Sequence, residues 1–167
     1  MKKLFIFAIA ILGFSAVSFG QVTATASTSA IIITPIAIEK KVDMSFGNVS
    51  VSATGGTVIL ATNSTRTKTG GVTLPIVAGT VTSAKFTVTG LGTSTYSISL
   101  PTSDITLSDG ATHTMTVGTF VSNPATTGTL ASGTQDVYVG GTLAVGALQA
   151  AGTYTNASDL FVTVYYN

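Results

Sequence analysis

The chain has 167 residues, a formal net charge of +1 and no cysteine, and only 8% of its residues are charged. The near balance of seven basic and six acidic residues gives no electrostatic footprint for nucleic acid. Without cysteine, neither disulfides nor thiolate metal sites can form. The length suits one domain of ordinary size.

The first 20 residues have the order of a secretory signal peptide. Lys2 and Lys3 precede an apolar run over residues 4–14, and the small residues Ser18 and Gly20 follow. The run is shorter than the roughly 20 apolar residues that a membrane-spanning helix needs. We therefore expect residues 1–20 to be cleaved during export and the mature chain to have no membrane span.

Residues 21–42 are predicted to be an N-terminal extension that leads into a first strand. The extension is rich in Ala, Ser and Thr, and four of its side chains would share one face if it were extended. These four are Ala24, Ala26, Ala30 and Ile32. Two interpretations stay open: a flexible leader before the domain's own first strand, or a donor strand that inserts into a neighbouring subunit. The pattern does not distinguish pairing within one chain from pairing between chains.

From residue 43 onward, short alternating segments are separated by Gly, Pro, Asn and Asp. Phe86 and Val88 lead through a glycine-rich turn to Tyr96 and Ile98, which predicts a β-hairpin. Asp109-Gly110 predicts a tight turn between two further strands. Because no segment keeps a helical period, we predict an all-β fold, a β-sandwich over residues 43–167.

The last strand is predicted over residues 160–166. Phe161 and Tyr165 fall on one of its faces by the period-2 rule. The opposite, apolar face holds Leu160, Val162, Val164 and Tyr166. No element follows this strand, so we expect it either to complete a sheet or to leave a sheet edge open.

The sequence offers no constellation that indicates catalysis. His113 is the only histidine, and neither a zinc-binding His-Glu-x-x-His motif nor a Gly-x-Ser-x-Gly elbow occurs in residues 21–167. Asp109-Gly110 lacks the ligand spacing of a calcium loop, and Arg66 with Lys68 is too small a patch to steer a ligand. We therefore predict a protein that is not an enzyme, with no catalytic, cofactor-binding or metal-binding residues and no cofactor.

Several short motifs, taken in order, resemble those of a bacterial secreted family of unknown function, the DUF4402 family. They include Asp43-Met44-Ser45-Phe46-Gly47, Phe86-Thr87-Val88-Thr89-Gly90, Tyr96-Ser97-Ile98-Ser99-Leu100-Pro101, Gly140-Gly141-Thr142-Leu143 and Gly152-Thr153-Tyr154. That family is similar to spore-coat-U-like proteins and to pilins of the chaperone–usher pathway. The resemblance implies an immunoglobulin-like, pilin-like β-sandwich with a structural role at the cell surface.

In such pilins the N-terminal extension of the next subunit supplies a missing strand. The resemblance therefore implies self-association into a homopolymer, with Ala24, Ala26, Ala30 and Ile32 as donor side chains. It also implies a periplasmic chaperone and an outer-membrane usher as partners, and passage through the periplasm to the cell surface or the medium. The receiving edge would hold Leu160, Val162, Val164 and Tyr166. A different class of function stays open: a monomeric secreted β-sandwich that binds glycans or host surfaces.

Overall fold

The computed structural model describes residues 20–167. The predicted signal peptide lies outside the described residues, apart from Gly20. Within the described part there are ten β-strands and no helix, which confirms the all-β prediction. Accordingly, residues 20–167 contain no helix with the length and hydropathy to cross a bilayer. The chain divides into two units, Met1–Ile32 and Ile33–Asn167.

All ten strands belong to the second unit. In chain order they are β1 Ala37–Val42, β2 Ser50–Leu60, β3 Arg66–Thr73, β4 Ala84–Thr89, β5 Thr95–Ser99, β6 Ile105–Ser108, β7 Thr114–Asn123, β8 Thr127–Thr129, β9 Thr134–Val145 and β10 Thr163–Tyr166. The stretch predicted as an N-terminal extension leading into a first strand, residues 21–42, contains the sheet strand β1 and a preceding segment without strand pairing.

The larger sheet is antiparallel and is built around the long strand β9. Its strand order is β1-β4-β9-β2-β3, and β7, which carries β6, also pairs with β9. The first part of β9 pairs with β4 up to Val139, and the second part pairs with β2 from Gly141. At the change of partner a Cβ on Gly140 would lie 2.2 Å from the Leu60 carbonyl oxygen, so only glycine fits there.

The smaller sheet has the order β10-β5-β8 and is also antiparallel. The predicted hairpin between the Phe86 and Tyr96 segments is therefore wrong, because β4 lies in the larger sheet and β5 in the smaller one. The turn at residues 90–94 carries the chain across from one sheet to the other. The strands β4 and β5 each have one apolar face. These two faces pack against each other across the core, and the strands are not hydrogen-bonded side by side.

The buried side chains form two clusters. The first joins both sheets: Ala84, Phe86, Val88, Tyr96, Ile98, Leu130, Val137, Val139 and Val162. The second has none from the smaller sheet: Phe46, Val58, Leu60, Val72, Val117, Leu143 and Val145. The smaller sheet thus packs over only one part of the larger sheet.

Candidate functional site

The closing strand β10 has one edge that is unpaired among residues 20–167. Within this range it pairs only with β5, with Val164 opposite Ile98 and Tyr166 opposite Tyr96. The strand begins at Thr163, so the prediction of a strand from residue 160 was too long, and residues 160–162 lie outside any strand. A sheet edge without a neighbour presents free N–H and C=O groups that can pair with another strand.

The structure places the four receiving-edge candidates on the inner face of this segment. Val162 is buried, and Leu160, Val164 and Tyr166 pack half-buried against the first cluster. On the outer face, Phe161 is 59% exposed. Tyr165, also on the outer face, is 54% exposed. The inward side chains line up beside the unpaired edge. There they would form pockets for alternate side chains of an added strand.

A groove of about 1200 Å³ with a mixed lining lies over the second cluster and reaches the start of the closing segment at Leu160. Polar side chains line part of it, and its apolar wall includes Met44, Phe46, Ile105, Leu107, Met115, Val117, Phe120, Leu143, Val145 and Leu160. Small-molecule pockets usually have about 300–1000 Å³. The groove is thus larger than most small ligands need and suits a stretch of polypeptide.

One wall of the groove is the segment between β1 and β2, and Arg66 of β3 holds it in place. The Arg66 guanidinium donates hydrogen bonds to the Phe46 carbonyl and, over 2.9 Å, to the Asn48 carbonyl. Ser45 and Thr82 exchange backbone hydrogen bonds of 2.8 and 3.0 Å. Sequence reasoning missed this structural use of Arg66, because nothing in a polar loop shows which carbonyls lie opposite.

The other wall is the segment between β9 and β10. Thr155 exchanges backbone hydrogen bonds of 2.9 and 3.0 Å with Ser108 of β6. The Asn156 amide donates to the Thr106 carbonyl over 2.9 Å, and the Gln149 amide donates to the Tyr154 hydroxyl over 2.8 Å. The second cluster is therefore bordered by two irregular segments with a groove between them. The first cluster, in contrast, is covered by the smaller sheet.

The four donor candidates lie in the first unit, where residues 20–32 form no strand. Ala24, Ala26 and Ala30 are exposed, and Ile32 is 98% exposed. The structure therefore brings the receiving-edge candidates together and leaves the donor candidates without a strand partner among the described residues.

Two side-chain pairs lower the pKa of a carboxyl group, and neither suggests a reaction. A hydrogen bond with His113 lowers the pKa of Asp109 in the β6–β7 turn, with an Nδ1–Oδ2 distance of 2.7 Å. Lys85 likewise lowers the pKa of Asp136 through a 2.8 Å contact. No group of three or more His, Cys, Asp or Glu side chains within residues 20–167 is arranged to hold a metal ion.

Comparison with known proteins gives one family. The family model described as a domain of unknown function, DUF4402, matches residues 36–166. At the significance we required, no curated protein and no solved structure matches the chain. The match runs from one residue before β1 to the last residue of β10, so it includes both sheets and the groove. The chain belongs to the DUF4402 family.

Proposed function

We propose that this chain is a non-enzymatic structural subunit of a fimbria-like or coat-like bacterial surface assembly. Its fold would be an immunoglobulin-like, pilin-like β-sandwich that lacks one strand, and the subunits would polymerise by donor-strand complementation. The observation that carries the proposal is the unpaired edge of β10 together with the large groove that Leu160, three residues before β10, helps to line. A strand laid along this edge would gain main-chain hydrogen bonds, and its continuation past Leu160 would reach the groove.

The occupant that fits best is the N-terminal extension of a second copy. Residues 21–38 contain no charged residue, so placing them against the apolar wall of the groove carries no cost of burying a charge. Residues 21–33, fully extended, span about 43 Å at about 3.3 Å per residue. Their length and composition thus suit an edge strand of a neighbouring subunit.

Export and assembly partners belong to the same proposal. A free strand edge and an exposed apolar wall favour uncontrolled association, so the subunit needs a cover until it is polymerised. A periplasmic chaperone would supply that cover, and an outer-membrane usher would exchange it for the next subunit's extension. The predicted signal peptide and the low charge content of the chain agree with this route to the cell surface.

A self-complemented variant tests the proposal. Residues 21–33 are removed from the N-terminus and attached after Asn167 through a flexible linker, and the control carries the same 13 residues in scrambled order. We expect a monomer whose Tm exceeds that of the control by about 5–10 °C, which corresponds to about 3 kcal/mol for a domain of this size. Equal Tm values for the two fusions would contradict the proposal.

A second candidate function is a monomeric secreted module that binds glycans or host surfaces. It is favoured by exposed Phe161, which shares a pocket of about 240 Å³ with Asp104 and Asp159. Aromatic rings next to carboxylates are suited to the apolar face and the hydroxyl groups of a sugar. In this case Phe161→Ala would abolish binding on a glycan array, and deletion of residues 21–33 would leave binding unchanged.

A further inference from the structure

The Tyr166 hydroxyl joins three segments of the second unit that are far apart in sequence. It accepts a hydrogen bond from the Leu91 amide over 2.6 Å and donates one to the Thr34 carbonyl over 2.9 Å. A tyrosine hydroxyl has one donor and two acceptor positions, so both contacts are made at once. The ring lies on the inner face of β10, half-buried against the first cluster.

The turn between β4 and β5 is shaped around this hydroxyl. A Cβ on Gly90 would lie 2.3 Å from the Tyr166 hydroxyl oxygen, so a larger residue at this position would displace the Tyr166 side chain. The Gly90 amide also donates to the Gly133 carbonyl over 2.9 Å, which holds the turn in place. The absence of a side chain at Gly90 therefore lets the Tyr166 hydroxyl lie directly against the backbone of the turn.

The second contact is made at the root of the N-terminal extension. Thr34 lies two residues after the end of the first unit and three residues before β1. Residues 33–36 belong to no strand, so no ladder fixes their backbone. The Tyr166 hydroxyl joins this stretch to β10 by a hydrogen bond. The edge of β10 opposite β5 is the unpaired one.

We propose that Tyr166 is a positioning residue that fixes the root of the extension to the end of β10. In a polymer, β10 receives the neighbour's extension and Thr34 begins the subunit's own outgoing extension. The hydroxyl then connects the incoming and outgoing strands within each subunit and sets the direction in which the next subunit is held. This inference rests on the proposed function.

The first test uses the isolated protein and does not depend on polymer formation. Tyr166→Phe keeps the ring and removes both hydrogen bonds. We expect Leu91 amide hydrogen exchange, measured by NMR, to become about fivefold faster, equivalent to about 1 kcal/mol. Gly90→Ala, which pushes the hydroxyl away, should give the same result. The matched control is Tyr165→Phe, because Tyr165 lies on the exposed outer face.

A spin label reports on the root itself. The chain has no cysteine, so Ile33→Cys accepts a single label next to Thr34. We expect the label to be more mobile in the Tyr166→Phe and Gly90→Ala backgrounds than in the wild-type or Tyr165→Phe background. Unchanged Leu91 exchange together with unchanged label mobility would overturn the inference.

A third measurement separates this inference from the proposed function. A synthetic peptide of residues 21–33 is titrated onto protein that lacks this segment. Equal peptide affinity for Tyr166→Phe and wild type, with more flexible polymers of full-length Tyr166→Phe in electron micrographs, would support positioning. A loss of peptide affinity in Tyr166→Phe would place the residue in the acceptor site and overturn it. If wild type fails to bind the peptide, the proposed function fails, and the role in assembly fails with it.

Discussion

The two parts of the larger sheet, divided at Gly140 of β9, bury their apolar faces in different ways. Around β4 and the first part of β9, the smaller sheet packs on top, and Val88, Val137 and Val139 are fully buried. Around β2, β7 and the second part of β9, the smaller sheet contributes no side chain to the cluster. There the apolar wall faces a groove of about 1200 Å³.

The difference separates a region whose apolar face is covered by the smaller sheet from a region whose apolar face lines a groove. Protein interiors are normally packed to the density of organic crystals, as expected where two sheets meet. A groove of this size over an apolar wall gives up part of that packing energy, and an inserted strand would recover it. We call the region covered by the smaller sheet the closed part and the region that lines the groove the open part. The two parts should respond differently to substitution, ligand and pH.

The largest expected effect is the loss of polymer formation when the strand proposed to insert into the open part is changed. Ile32→Asp places a charge on the predicted donor face, and burial of an unpaired charge against an apolar wall is strongly unfavourable. We expect polymer formation to be lost while the monomer stays folded, as measured by size-exclusion chromatography and circular dichroism.

The neighbouring substitution Ile31→Asp is the matched control. It adds the same charge on the opposite face of the extension, which is predicted to point away from the groove. Polymers should persist in this variant. Equal behaviour of the two variants would show that the assigned parity of Ala24, Ala26, Ala30 and Ile32 is wrong.

The second prediction compares a core residue of the closed part with a wall residue of the open part. Leu130 is 1% exposed, so Leu130→Ala should lower the free energy of unfolding by about 3 kcal/mol. Met115 is half-buried and already lines the groove, so Met115→Ala should cost about 1 kcal/mol or less. Denaturant unfolding measures both, and equal losses would contradict the distinction between the parts.

The third prediction concerns the wall that Arg66 holds. Arg66→Met keeps the apolar stem and removes the hydrogen bonds to the Phe46 and Asn48 carbonyls. Loss of hydrogen bonds from a charged donor should lower the free energy of unfolding by about 2 kcal/mol and weaken binding of the 21–33 peptide. Lys68→Met, an exposed position on the same strand, is the control and should change neither quantity by much. Unchanged peptide affinity in Arg66→Met would show that the wall does not shape the groove.

The smallest expected effect is a pH dependence in the closed part. Hydrogen bonds from Lys85 and then Thr87 hold the pKa of Asp136 below its ordinary value of 3.8. A carboxyl whose pKa is depressed in the folded state contributes stability above the unfolded pKa, and this stability is lost as the pH falls through the folded value. Asp136→Asn should therefore have a lower Tm than wild type at neutral pH, and the difference should shrink as the pH falls below about 3.8 toward the lower pKa of the folded state. A difference that grows in acid would contradict this assignment.

The sequence predicted the parts of the fold that depend on local pattern. Alternation and Gly or Pro breaks were enough for the all-β class, and the parity of residues 160–166 placed Val162 inward and Phe161 outward, as observed. The Arg66–Thr73 strand carries little of this pattern, because Val72 is its only buried residue and the rest of the segment is polar. A polar edge strand of this kind resembles a connecting loop in sequence.

Features that depend on which strands become neighbours were beyond the sequence. A glycine-rich turn between two alternating segments fits a hairpin and a crossing between sheets equally well, and β4 and β5 adopt the crossing. The groove follows from the partner change at Gly140 and from a smaller sheet of only three strands. Likewise, the contact of Tyr166 with Thr34 joins residues 132 positions apart. Each requires tertiary pairing that no local pattern encodes.

The central claim, that the open edge of β10 receives the extension of another copy, is tested most directly on protein extracted from the cell surface. Unheated and heated samples are compared on denaturing gels, beside a form lacking residues 21–33. We predict a detergent-resistant ladder that collapses on heating and is absent from the truncated form, because a strand buried in a neighbour dissociates slowly. A single monomer band from the full-length form before heating would contradict the account.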